Sequence, residues 1–221
     1  MATPSQLVNA VSDATGVSLP TIVDIDRKLV KGKLRTKGGR GFNAAKMTAL
    51  DAARLLTAVL GSPQANASVD AVERYAHTRV DKARSSEKLF AGAKLDDLAA
   101  LPARHGFVDA LAALIASAST GSLAKLMVDA KDGWVPHIEV FAFTRATRGR
   151  IRITGLPSGL TASLEYVPTT VETKPARAKK VSRRRDPHTD EGRGDLEQSR
   201  RITERTILPI AKLLAPENQH E

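Results

Sequence analysis

The sequence predicts an α+β chain, mainly helical with a small antiparallel β-meander, and three observations carry that expectation. Apolar residues recur at three- and four-residue spacing from Leu7 to Val128, the period of half-buried helices. A β-prone run then alternates apolar with basic residues as far as Tyr166. Residues 168–194 contain almost no large apolar side chain, after which helical character returns over 196–214.

Taken in order, residues 5–15 form a short helix with Leu7, Val8, Val11 and Ala14 on one face, closed by Gly16. Ser18 is a good N-cap and Pro20 is tolerated in a first turn, so a second helix is expected over 19–31, with Ile22, Val23, Ile25, Leu29 and Val30 apolar. The run Lys37-Gly38-Gly39-Arg40-Gly41 is unsuited to helix and fits the tip of a hairpin. Thr48 caps a third helix over 49–60, and Ser62-Pro63 marks a connection. Further helix is expected over 69–83, 95–101, 107–117 and 123–128, in an alanine- and leucine-rich region with few aromatics. Ile138, Val140, Phe141 and Phe143 begin the meander, Arg148-Gly149 turns it, Ile151 and Ile153 alternate with Arg150 and Arg152, and 160–166 gives a third strand. Residues 169–194 are expected to be a disordered basic linker, and 195–215 a C-terminal helix in which Pro209 introduces a kink.

The 221 residues carry a net charge of +10 that is unevenly placed. Arg27, Lys28, Lys31, Lys33, Arg35, Lys37, Arg40 and Lys46 give +8 over 27–46 without an acid, and seven lysines and arginines give +7 over 174–185, leaving the rest of the chain net acidic by five. Positive charge concentrated in this way favours a polyphosphate partner through counterion release. Cysteine is absent, which excludes disulfides, thiolate metal sites and cysteine nucleophiles and suits a reducing compartment. The start of the chain lacks the basic and apolar regions of a secretory signal, and no run reaches the ~18 apolar residues of a membrane span, so a cytoplasmic, nucleoid-associated protein is expected.

The segment from Ala10 to Ile22, with Ala14 on the first helix, Gly16-Val17-Ser18 as the turn and Thr21-Ile22 opening the second, resembles the helix-turn-helix of bacterial and phage DNA-binding proteins. Small Ala14 lets two helices cross closely, Gly16 permits the turn, and the second helix could enter a major groove about 12 Å wide. The basic glycine-rich stretch and third helix that follow resemble a winged helix, which implies a DNA-binding domain over 1–62. A helical and β-meander domain for oligomerisation or effector binding would then occupy 68–168. The resemblance implies base-reading candidates Ser18, Thr21, Asp24, Arg27 and Lys28, and phosphate-contacting candidates Lys31, Lys33, Arg35, Lys37, Arg40 and Lys46. Asp24 and Asp26 depart from the pattern by placing acid on the reading helix. Asp24 either accepts from a cytosine amino group or faces away.

Enzymatic chemistry finds little support. No Gly-Lys-Ser or Gly-Lys-Thr follows the glycines, no Gly-x-Ser-x-Gly elbow occurs, and the five histidines lack metal-ligand spacing. Adjacent Asp96 and Asp97 point apart on a helix. No cofactor or metal is expected. The partners expected are double-stranded DNA and a second copy of the chain, a dimer above all, matching a palindromic site. The expected role is a transcriptional regulator of phage or mobile-element type. Two alternatives remain: a packaging subunit similar to small terminase proteins, which would form a ring, and a non-catalytic adaptor acting on a protein partner through its C-terminal helix.

Overall fold

Thr3 opens the first helix by a reciprocal cap: its hydroxyl accepts from Gln6 N, and the Gln6 side chain accepts from Thr3 N at 2.8 Å. That helix, α1 (Pro4–Thr15), buries Leu7, Val8 and Val11 and ends at Gly16, whose φ of 71° is the left-handed conformation a helix end favours. After a short turn, α2 (Leu19–Lys31) buries Ile22, Ile25 and Leu29. In α3 (Ala49–Gly61) Thr48 and Asp51 cap each other, and Ala52, Ala53, Leu55, Leu56 and Ala58 are fully buried, which makes it the central helix. The computed structural model describes residues 2–37, 45–62, 64–129, 135–144, 147–169 and 198–216.

The chain continues through α4 (Ser68–Ala76), β1 (Thr78–Val80), α5 (Glu87–Gly92), α6 (Asp96–Ala99), α7 (Phe107–Ser119) and α8 (Ser122–Val128). It then forms β2 (His137–Phe143), β3 (Arg148–Leu156), β4 (Leu160–Pro168) and β5 (Ser199–Thr203), and closes with α9 (Glu204–Leu214). The strands make one antiparallel sheet in the order β1-β4-β3-β2-β5. Register places Val140 opposite Ile151 on one side and Ile202 on the other, so the face bearing Ile138, Val140, Ala142, Ile151 and Ile153 is buried against the helices. Gly149 lies on that face beneath Phe107; a Cβ there would come within 2.2 Å of the ring. Packing of α3 on α7 joins the N-terminal helices to the rest. A single hydrophobic cluster runs from Ala2 to Ala211, so the segments 1–62 and 68–168 share one core.

The α+β class and the three-stranded meander hold, with two additional strands. Residues 69–83 are not one helix: α4 stops at Ala76, and Thr78–Val80 instead pairs with β4, because β-branched Thr78 and Val80 suit an edge that only the distant strand supplies. The expected C-terminal helix also begins later, since residues 199–203 pair with β2 and the helix starts at Glu204. Helical structure continues through Pro209, and α9 packs on α1 and α7 with Ile207, Ile210 and Ala211 buried. The linker expected over 169–194 lies outside the described residues except for Thr169. Among the described residues no single helix is long and apolar enough to cross a membrane.

Candidate nucleic-acid interface

Local chemistry shapes the joint between α1 and α2. Ser12 Oγ donates to Val17 O at 2.7 Å, fastening the three-residue turn to the helix before it, while Thr15 Oγ1 donates back within α1 to Val11 O at 2.6 Å. Ser18 N-caps α2 by position, but its hydroxyl bonds the Thr21 hydroxyl at 2.8 Å in place of a backbone N–H. With Ile22, Ile25 and Leu29 turned inward, Pro20, Asp24, Arg27 and Lys31 share the exposed stripe of the helix at three- and four-residue spacing.

The basic candidates separate into four groups. Arg27, Lys31, Lys33, Lys37 and Lys46 are exposed, and none of them pairs with an acid among the described residues. Lys28 is held by Asp24 at 2.7 Å, an ion pair one turn apart that leaves little charge for a ligand. Arg40 lies outside the described residues.

Arg35 requires a correction. Its side chain is 8% exposed: Nη2 donates to Asp26 Oδ2 at 2.7 Å, Nε lies 2.5 Å from Oδ1, and Nη1 donates to Thr36 O at 2.9 Å. Asp26 is itself buried, so the acid that departed from the reading-helix pattern is the internal partner of the arginine expected in the wing. Burial raises the Asp26 carboxyl above its ordinary range, and the guanidinium offsets only part of that shift.

The same chemistry extends to α3. Burial would raise Asp51, but hydrogen bonds from the Thr36 and Thr48 backbone and hydroxyl groups outweigh it and hold the carboxyl below its ordinary value. Arg54 Nη1 donates to Leu34 O at 2.9 Å. The described part of the expected hairpin, residues 32–37 and 45–48, is therefore a loop pinned to α2 and α3, and contains no strand. Lys33 takes a φ of 58° just past α2, the position where a helix commonly ends in left-handed backbone.

Other polar clusters are structural. Asp97 Oδ2 accepts from Ser122 N at 2.6 Å, from Ser122 Oγ at 2.7 Å and from Ser117 Oγ at 3.0 Å, tying α6 to the α7–α8 corner. The Ser122 backbone bond is the chief reason that its carboxyl is lowered. His105 Nε2 bonds the Tyr166 hydroxyl at 2.8 Å, and His137 Nδ1 meets Glu204 Oε2 at 2.8 Å. No group of three or more His, Asp or Glu side chains among the described residues could hold a metal.

Two features escaped the sequence. Arg200 Nη1 donates to both Val59 O and Ser62 O at 2.8 Å, satisfying carbonyls at the end of α3 from a strand far along the chain. In front of it lies a groove of about 470 Å³ lined by Thr21, Ile25, Gln64, Arg200 and Arg201 among others, so the start of α2 faces edge strand β5. The second is the open face of the sheet, where Phe141, Phe143, Arg148, Arg150, Arg152 and Arg201 gather. Alternation of Arg150 and Arg152 with Ile151 and Ile153 was its visible signal. No family model matches the chain, and no curated protein or solved structure matches it.

Proposed function

We propose that the chain is a double-stranded DNA-binding protein that docks α2 in the major groove, as a transcriptional regulator of phage or mobile-element type. The observation that carries this reading is the exposed stripe of α2. Behind a three-residue turn it presents Asp24, Arg27 and Lys31, with Lys33, Lys37 and Lys46 exposed on the segments that follow. Arg27 is the base-edge candidate, because Asp24 and Lys28 neutralise each other. Lys31, Lys33, Lys37 and Lys46 serve the phosphates, and Arg35 holds their loop in place. Two copies on a two-fold axis would place two such helices on successive turns of a palindromic site.

The regulator reading is preferred to the adaptor because the Ile207, Ile210 and Ala211 side of α9 packs on α1 and α7. The test is binding of the full chain to mixed-sequence duplex across a salt series, with solution mass measured on the same sample. Affinity should fall steeply with salt, Lys31→Ala with Lys33→Ala should flatten the slope by about two units, near 0.9 per lost phosphate contact, and Arg27→Ala should instead change the sequence preference. A dimer favours the regulator and a larger ring the packaging subunit. Duplex binding indifferent to these substitutions would remove α2 from the interface.

A further inference from the structure

The open face of the sheet has a composition that duplex binding by α2 does not explain. Along β2 the side chains facing away from the helices are His137, Glu139, Phe141 and Phe143. Phe141 and Phe143 follow one another on that face, with ring centroids 6.1 Å apart and planes 17° from parallel. Arginines surround them on the flanking strands. Arg148 lies 5.2 Å from the Phe143 centroid, Arg150 5.7 Å from Phe143 and 6.0 Å from Phe141, and Arg201 on β5 5.9 Å from Phe141. Glu165 pairs with Arg150, and Glu139 accepts from Arg201 at 2.9 Å while lying 3.7 Å from Arg152. Among the described residues of this face, Arg150, Arg152 and Arg201 outnumber Glu139 and Glu165, which gives an excess of positive charge without counting Arg148.

We propose that this face binds single-stranded nucleic acid, stacking unpaired bases on Phe141 and Phe143 while Arg148, Arg150, Arg152 and Arg201 attract the phosphates. A ligand that carries flat aromatic groups and negative charge at alternating positions uses both halves of the surface: base faces meet rings and guanidinium planes, and the backbone meets the excess cation. Duplex DNA keeps its base faces stacked inside and offers only phosphate. A second copy would bring the same positive face and repel it.

The surface could also serve only the fold, since cation–π contacts and cross-strand pairs stabilise sheets. The experiment separates the two. Binding of the full chain to fluorescein-labelled oligo-dT and oligo-U would be measured beside a mixed-sequence duplex of equal length. The variants are Phe141→Leu with Phe143→Leu, which keeps apolar bulk but removes the flat rings, and Arg148→Gln with Arg152→Gln.

The expected result is that the wild type binds the single strands, the leucine variant binds them about tenfold or more weakly per ring lost, and its thermal midpoint and duplex affinity are retained. Preference for oligo-U over oligo-dT would identify RNA as the source, and the reverse DNA. Undiminished binding by the leucine variant, or no single-strand binding at low salt, would overturn the proposal. So would loss of single-strand binding in the glutamine variant alone, which would make the face a simple cation patch. Failure of duplex binding would count against α2 and leave this site standing.

Discussion

Replacing Arg35 with Ala separates a structural arginine from a DNA-contacting one, because the two roles predict opposite results. The substitution strands Asp26, whose side chain is 11% exposed, and removes the bond to Thr36 O. Breaking a buried ion pair from one side costs about 3–5 kcal/mol, and the lost neutral bond adds about 1 kcal/mol. The Asp26 carboxyl is raised by burial even in the intact pair and its side chain keeps some contact with solvent, so the total should lie near the low end of that sum, about 4 kcal/mol. With a urea dependence of about 2–3 kcal/mol per molar, the unfolding midpoint should fall by about 1–2 M. Replacing both members together, Arg35→Met with Asp26→Leu, should recover most of the loss, because the raised carboxyl indicates that the intact pair contributes little net stability. An Arg35→Ala midpoint within about 0.3 M of wild type, accompanied by a loss of duplex affinity, would refute the argument and return Arg35 to the interface.

Three further outcomes follow from the packing. Gly149→Ala drives a methyl into Phe107 and should destabilise by about 1–3 kcal/mol in urea titration; a neutral result would mean that the ring has room to move. Asp51 has a folded pKa below its unfolded value of 3.8, so its stabilisation is complete above that value and disappears as pH falls through the lower folded one. Urea midpoints for Asp51→Asn should therefore be lower than wild type at neutral pH and converge with it in acid, whereas a pH-independent difference would exclude the carboxylate as the cause. Deleting 169–221 removes β5 and α9 and uncovers the core around Ile202, Ile207 and Ile210, so the truncated chain should melt without a cooperative transition. A sharp melt near the wild-type temperature would show that the first 168 residues hold their own core.

Local signals placed the elements that depend on near neighbours in the sequence. Gly16 and Ser18 bracket a turn because a left-handed helix end and a capping position are decided within a few residues, and Thr48 marks α3 for the same reason. The alternation of Ile151 and Ile153 with arginine identified β3 and its two faces, since strand periodicity is a property of the backbone. Clustering of charge over 27–46 was equally visible.

Which of those charges remain available to a partner was a tertiary decision. Asp26 shares the inward helical face of Ile22 and Leu29, which periodicity shows, but Arg35, nine positions on, differs in no local respect from the Lys33 and Lys37 around it, and burial commits it to Asp26. Strands β1 and β5 were invisible for a related reason: three or five residues bury little apolar surface alone, and β4 and β2 supply the missing hydrogen bonds from about 88 and 60 positions away in the chain. Only the assembled sheet brings Arg201 beside Phe141 and Arg150. Sequence periodicity alone determined that chain's local elements and the sign of its charge; long-range pairing and desolvation decided which side chains became core, clamp or open surface.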